Sequence, residues 1–458
     1  MMDKKKRSNF TGKLGYVLSA AGASVGLGNI WRFPYLAAKY GGAIFLIIYI
    51  LLAVTFGYTM IIAETALGRM TKKSPVGAFE HFGHGWQFSL GGWLNAVIPI
   101  LIVPYYSVIG GWVLRYLIGY FQPNGAATLA SDGFFSSFIS SGAGVELWFV
   151  VFSLVNLVVI YLGVQNGIER VSKFMMPILV VLSVIIAIYS MTRPGALEGI
   201  KYFFVPNFSN FSWMTVVAAM GQMFYSLSIA MGILVTFGSY MKKEVSIEES
   251  TEQVEIFDTA IAVMAGLMII PAVFAFSGAD AAQNLKAGPS LMFITMPKIF
   301  ASMGMGTVIG ILFFVLVLFA ALTSAIALTE SAVSTFEDQL HWSRKKSALI
   351  MGVIMITLGT LSALGYGPLA AVTVIGMQFL DFFDFLTNSV MMPLAAMALC
   401  LLVVRVIGID KIAEEVKLDG KKFTRKPVFD FMIKYLCPFF VAIILFSSVA
   451  SVLGLISM

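Results

Sequence analysis

Eleven times along this chain the sequence turns apolar for about the length of a bilayer crossing, some 20 residues. The runs lie at roughly 14–37, 42–69, 88–120, 146–164, 171–191, 215–240, 253–277, 302–337, 347–365, 376–404 and 428–455. No water-soluble core could bury so much. Of 458 residues 59% are hydrophobic and only 12% charged, with a mean hydropathy of +0.90, so the polar residues needed to cover a soluble surface are missing. The runs are long and continuous, whereas barrel strands would alternate over about ten residues. The sequence therefore predicts an all-α membrane protein of about eleven crossings. Cys400 and Cys437 both fall inside late apolar runs, where packing is a better role than a disulfide or a metal.

Charge sets the orientation. An odd number of crossings puts the termini on opposite sides, and with the N-terminus inside, Lys4, Lys5, Lys6, Arg7, Lys72, Lys73, Lys242, Lys243, Arg344, Lys345, Lys346 and the basic loop from Arg405 to Arg425 all face the cytoplasm. The loops at 121–145 and 366–379 carry no Lys or Arg. The net charge of +6 is thus dispersed beside spans and makes no polynucleotide groove. The first ten residues are too polar for a signal h-region, and connections of about 25 residues at most leave no room for a soluble domain. Nothing resembles a channel's filter loop or ring of charges. His81, His84 and His341 lie in loops, away from any nucleophile or metal cluster an intramembrane enzyme would need.

Two spans contradict their own helicity. The first, LGYVLSAAGASVGLGNIWRFP from Leu14 to Pro34, has at its middle Gly22-Ala23-Ser24-Val25-Gly26-Leu27-Gly28-Asn29, a run of small residues that holds a helix poorly. In the sixth, Gly221 to Gly232, a Ser226-x-Ser228 pair stands at mid-span between glycines. Either one alone fits close helix packing. Together they open two successive sets of five spans, as an inverted five-helix repeat predicts, and a break in a spanning helix survives only where its freed backbone groups line a cavity and bind something.

These residues carry a family resemblance. GLGNIWRFPY from Gly26 to Tyr35, Glu64, Tyr105-Tyr106, GQMFYSLS from Gly221, ALTSAIAL from Ala321 to Leu328 and FEDQL from Phe336, in this order, resemble the neurotransmitter:sodium symporter family, in its bacterial amino-acid transporter branch, with the LeuT-type fold. The resemblance implies a first repeat over 14–191, a second over 192–404, a cytoplasmic segment at 1–13, a cytoplasmic loop at 405–427 and an eleventh span at 428–458. Members commonly have a further span, which lies outside the transport core. It implies a Na⁺-coupled symporter working by alternating access in a bacterial inner membrane, as a monomer or a homodimer, with no organic cofactor. Two sodium sites follow from it. The first would use the Ser24 carbonyl, Asn29, Ser226, Asp258 and the substrate's own carboxylate; the second would use carbonyls of Gly22, Val25 and Ala320 with the hydroxyls of Thr323 and Ser324. Oxygen donors of this kind suit a hard cation, although Thr323 and Ser324 could equally bond back to their own helix.

Asp258 is the sharpest residue, a carboxylate inside the apolar IFDTAIAVMAGLMII, where its insertion costs about 2.5 to 3.5 kcal/mol. Chloride-requiring animal members have Asn there, so the fixed charge of Asp258 is expected to make transport chloride-independent. Gly26 stands where monoamine carriers of the family place an aspartate, which favours a substrate bringing its own carboxylate. That group would meet the N–H groups of Leu27 and Gly28 and the Tyr106 hydroxyl, and the ammonium would meet carbonyls near Ala23, Tyr225 and Ser226 together with the Ser228 side chain; Ser324 is expected to touch substrate as well. Ile102, Tyr106, Tyr225, Met231 and Leu328 would form an uncharged wall, with Met231 an adaptable part of it. A hydrophobic or aromatic amino acid is expected; a small aliphatic one such as leucine or alanine, or a receptor that binds without transporting, are the alternatives. Arg32 with Asp384 would close the outer path under a lid of Tyr106 and Tyr225. Arg7 with Asp338 would close the inner one, supported by Phe10, Tyr240 and Glu330. Glu64 is expected to tie down the broken part of the sixth span. Pro177, ten residues after Gly167, would loosen the fifth span and aid sodium release.

Overall fold

The computed structural model describes residues 8–278, 281 and 289–452. Among the described residues nine continuous helices are long and apolar enough to cross a membrane: α3 (Ala43–Thr71), α4 (Trp86–Tyr120), α5 (Ala143–Tyr161), α6 (Val164–Met191), α9 (Ile247–Ser277), α10 (Gly306–Gln339), α11 (Arg344–Leu364), α12 (Phe379–Ile407) and α14 (Lys426–Val452). Two further crossings are each built from two helices, α1 (Lys13–Ser24) with α2 (Phe33–Lys39), and α7 (Trp213–Ser226) with α8 (Ile233–Tyr240). A short helix, α13 (Ile409–Val416), lies between the last two crossings. Among the described residues the total is eleven, and the breaks fall in the first and the sixth.

Several ends differ from those the hydropathy suggests. Helix α9 begins six residues before the apolar run at 253, because Ser246 caps it: its Oγ accepts the Glu249 N–H at 3.4 Å, with Glu248 and Glu249 at the positive end of the helix. Helix α6 begins at Val164, not near 171, with a π-helical turn over Val164–Glu169 whose polar residues hid it from an apolar window. Helix α10 begins at Gly306, where a β-carbon would collide with the Phe300 carbonyl.

The crossings sort into two groups. Helices α1, α2, α3, α7, α8 and α9 pack on one another, and α4, α5, α10 and α11 do the same; α1 meets α10 and α6 between them. Small residues set the closest approaches. A β-carbon at Gly68 of α3 would strike the Val235 carbonyl of α8, and one at Gly238 of α8 would strike the Thr65 carbonyl of α3, so these two backbones touch through reciprocal glycines. Cys400 and Cys437 are buried free thiols, Cys400 lying 3.9 Å from the Met60 sulfur. The side bearing residue 8 is called here the N-terminal side.

Candidate functional site

The first break is short. Helix α1 ends at Ser24; Val25 turns extended (φ −73°, ψ 91°), and helical backbone resumes at Leu27. The second break is more contorted. Between Ser226 and Ile233 the chain passes through left-handed backbone at Ser228 (φ 54°), Ala230 (φ 59°) and Gly232 (φ 69°). For Ser228 and Ala230 that conformation costs roughly 1–2 kcal/mol each, so something must hold it. Glu64 on α3 does so, its Oε1 accepting the Ala230 N–H at 2.6 Å, and the Ser228 hydroxyl donates across to the Ala23 carbonyl of the first break at 3.1 Å.

Between the breaks lies a narrow cavity of about 30 Å³. All twelve residues expected to touch substrate, Ala23, Gly26, Leu27, Gly28, Ile102, Tyr106, Tyr225, Ser226, Ser228, Met231, Ser324 and Leu328, line it, joined by Ser24, Asn29 and Ile233. Two glycines make the fit. A β-carbon at Gly26 would come within 2.7 Å of Ser324 Oγ and 3.2 Å of the Tyr106 hydroxyl, and one at Gly28 within 2.7 Å of the Tyr225 ring. The Leu27 N–H donates to the Tyr106 hydroxyl at 3.3 Å. One end of the cavity is therefore backbone and hydroxyl, and the rest is aliphatic, aromatic and thioether.

Three other spans converge on Asp258. Its Oδ1 accepts from the Asn29 amide at 2.8 Å and from Ser226 Oγ at 2.9 Å, and its Oδ2 accepts from the Tyr49 hydroxyl at 2.9 Å. All four side chains are essentially buried. The Asn29 oxygen faces the other way and takes the Gly26 N–H at 3.0 Å. Ser24 stands beside Asn29 in the cavity wall; its hydroxyl bonds back to Ala20, and its carbonyl is one of those that the end of α1 leaves without a helical partner. Tyr49 was not among the expected residues. The signal available for it was a lone phenol in an apolar run, which fits core packing as well.

Of the other expected ion ligands, Gly22 and Val25 belong to the first break, and Thr323 and Ser324 of α10 pack against it. Ser324 Oγ donates to the carbonyls of Gly22 and Ala23 at 3.3 and 3.1 Å. The Thr323 hydroxyl turns to its own helix, donating to Phe319 and Ala320 carbonyls at 2.9 and 3.2 Å, while its Cβ lies 3.1 Å from where one at Gly22 would stand. Val25, whose N–H closes α1 on Ala21, is fully buried beside them.

Access differs on the two faces. On the far side a cavity of about 440 Å³ is lined by Arg32, Tyr105, Tyr106, Tyr225, Asp381 and Asp384 among others, and shares Tyr106 and Tyr225 with the central cavity. The expected Arg32–Asp384 pair does not form. Arg32 instead stacks on the Tyr225 ring, 5.2 Å from its centroid, and Asp384 is already served by the Asn388 amide at 2.6 Å and the Tyr105 hydroxyl at 3.2 Å. On the N-terminal side the way is packed shut. Phe10 is buried among Tyr16, Phe237 and Tyr240, with ring centroids 5.5–6.0 Å apart. Glu330 accepts from Tyr240 at 2.7 Å and from both ends of the Arg344 guanidinium at 3.0 and 2.5 Å. Asp338 accepts the Ser74 N–H at 2.6 Å; Arg7 lies outside the described residues.

Comparison with known proteins agrees with this architecture. The family model described as the sodium:neurotransmitter symporter family matches residues 7–130 and 134–455. An uncharacterized sodium-dependent transporter of Bacillus subtilis, YhdH, is 34% identical over 404 residues, covering 88% of either chain. The human sodium- and chloride-dependent GABA transporter 2 is 28% identical over 413 residues, covering 78% of this chain and 68% of its own. Among solved structures, that of MhsT in complex with L-phenylalanine superposes with a TM-score of 0.86 at 35% identity, over 97% of this chain and all of that one. Two helices broken at one depth, gathered around a buried carboxylate in a chain matched almost end to end, mean that the protein belongs to the sodium:neurotransmitter symporter family and is a sodium-dependent membrane transporter of LeuT-type fold, not an enzyme.

Proposed function

We propose that this symporter imports a hydrophobic or aromatic amino acid with Na⁺, independently of chloride. The observation that carries the reading is Gly26. Its missing side chain leaves the polar end of the cavity uncharged, ringed by the N–H groups of the break and the Tyr106 hydroxyl, so the solute supplies the negative charge and its carboxylate can share a sodium ion with Asn29, Ser226, Asp258 and the Ser24 carbonyl. A second sodium ion is assigned to the Gly22, Val25 and Ala320 carbonyls with Thr323 and Ser324. Uncharged walls at Ile102, Met231, Ile233 and Leu328 exclude charged side chains. The solved relative that carries L-phenylalanine supports the aromatic choice.

The small central volume favours a competing reading, a short aliphatic amino acid such as alanine or leucine. Admitting a larger one requires Met231 and Tyr225 to give way, and an unbranched thioether does so at low cost. The proposed orientation places the N-terminus in the cytoplasm of a bacterial inner membrane, with the repeats over 14–191 and 192–404. Tyr106 and Tyr225 then form the outer lid, with Arg32 and Asp384 at the mouth, and Asp338 with Arg7 serves the inner closure.

Competition by each of the twenty amino acids against labelled phenylalanine and labelled alanine, in proteoliposomes with a sodium gradient, tests the reading. Phenylalanine, tryptophan and leucine should compete best, with equal uptake in sodium chloride and sodium gluconate. Uptake restricted to alanine and its like would establish the competing choice, and collapse in gluconate would remove the role given to Asp258.

A further inference from the structure

Helix α1 starts without a cap of its own. Gly12 precedes it in extended backbone, no side chain accepts from the first turn, and no acidic residue lies in that turn. The positive end of such a helix needs an acceptor from elsewhere. It comes from α6. Glu169, whose side chain is 2% exposed, accepts the Thr11 N–H at 2.9 Å and the Thr11 hydroxyl as well. It packs so closely over Gly15 that a β-carbon there would collide with its carboxylate. Lys173, one turn on, pairs with it at 2.6 Å. Nearby, Gln165 donates to the Asn9 carbonyl at 2.7 Å and Lys242 to the Thr11 carbonyl at 3.0 Å. Neither ion coordination nor substrate contact uses this carboxylate.

We propose that Glu169 is a positioning residue of alternating access: it caps α1 from α6 while the N-terminal side is closed, and that side opens only when the cap is released. The path from the central cavity to the N-terminal side is blocked by Phe10, Tyr16 and Tyr240, and Phe10 and Tyr16 move with α1. To clear it, α1 must leave α6. Leaving strips a buried carboxylate of two donors at once, a penalty that one half-exposed lysine only partly offsets. Glu169 also closes the π-helical turn over Val164–Glu169, a loosened stretch from which its side chain can turn towards water as α1 departs. Sodium at the Gly22 and Val25 carbonyls of the same helix would favour the docked, capped position; that clause rests on the second sodium site assigned above.

Hydrogen–deuterium exchange in nanodiscs reads the cap directly, through the peptide covering residues 8–18. The wild type, Glu169→Gln, Glu169→Asp and Thr11→Val are compared in NaCl and in KCl, alongside Na⁺-titrated uptake. Glu169→Gln should raise exchange in that peptide roughly fivefold in NaCl, from the loss of a charge at a helix end, with peptides of α10 unchanged. The half-saturating Na⁺ concentration for uptake should rise with it. Glu169→Asp should restore most of the protection, and Thr11→Val should fall between. Wild-type protection in Glu169→Gln overturns the proposal, as does faster exchange spread equally into α10, which is what a packing role gives. If the wild type exchanges alike in both salts while Glu169→Gln still loosens residues 8–18, the cap stands and the second sodium site is what fails.

Discussion

Asp258 brings a carboxylate into an apolar wall, and the Asn29 amide, the Ser226 hydroxyl and the Tyr49 phenol all turn towards it. Replacing it by Asn keeps the shape and removes the charge. Asp258→Asn should therefore raise the Na⁺ concentration for half-maximal uptake about tenfold or more, equivalent to ~1.4 kcal/mol, as Na⁺-titrated uptake would show; an unchanged titration would mean that no ion reads this charge. At this scale the sequence was informative wherever a residue type was out of place. A carboxylate in IFDTAIAVMAG or a glycine run inside a span points to itself. Tyr49 does not, because a phenol in an apolar run is normal, and only its neighbours in space reveal what its hydroxyl faces. That Arg32 and Asp384 share the far-side cavity without an ion pair was not legible for a similar reason, since Asn388 and the Tyr225 ring are near only once the chain is folded.

Helix α6 shows what one proline does to a whole element. Pro177 has no N–H, so the Lys173 carbonyl loses its helical partner one turn below, yet the helix stays formed from Val164 to Met191. It is intact but weakened. Pro177→Ala would restore one hydrogen bond, worth about 0.5–1.5 kcal/mol. We expect turnover in proteoliposomes to fall roughly 2- to 10-fold while Na⁺-dependent substrate binding holds; equal turnover would separate Pro177 from sodium release. Element ends were legible where a cap is local and hidden where support comes from another helix. Ser246-x-x-Glu249 is a start signal in the sequence itself, and a hydropathy window passed over it. The start of α6 gave no such signal, because Gly163 precedes it without a capping side chain and its first turn is polar, with Glu169 held by Thr11, a residue 158 positions away.

For the whole molecule, the number of crossings and the two breaks could be read from hydropathy and glycine placement, whereas the division into two packed groups could not. That division depends on close approaches such as Gly68 and Gly238, which carry no hydropathy signal. One buried pair joins distant parts of the fold. Arg69 of α3 donates to Glu415 of α13 at 2.7 Å and to the Val245 carbonyl at 2.7 Å, its side chain wholly inaccessible. Removing one partner strands the other, so Arg69→Met or Glu415→Gln should destabilise by about 3–5 kcal/mol, and the double replacement Arg69→Met with Glu415→Leu should recover most of the loss. Thermal unfolding in detergent measures both, and equal damage from single and double replacements would show that the ion pair itself matters little.

The contacts of Asp258 also bear on how the molecule moves. Asn29, Tyr49, Ser226 and Asp258 come from the first, second, sixth and seventh crossings, all of one packed group, and are riveted at a single buried point. If the proposed sodium ion binds there, its arrival or departure would alter the grip among all four together, which ties these rods to one another and leaves the stroke to the contacts around them.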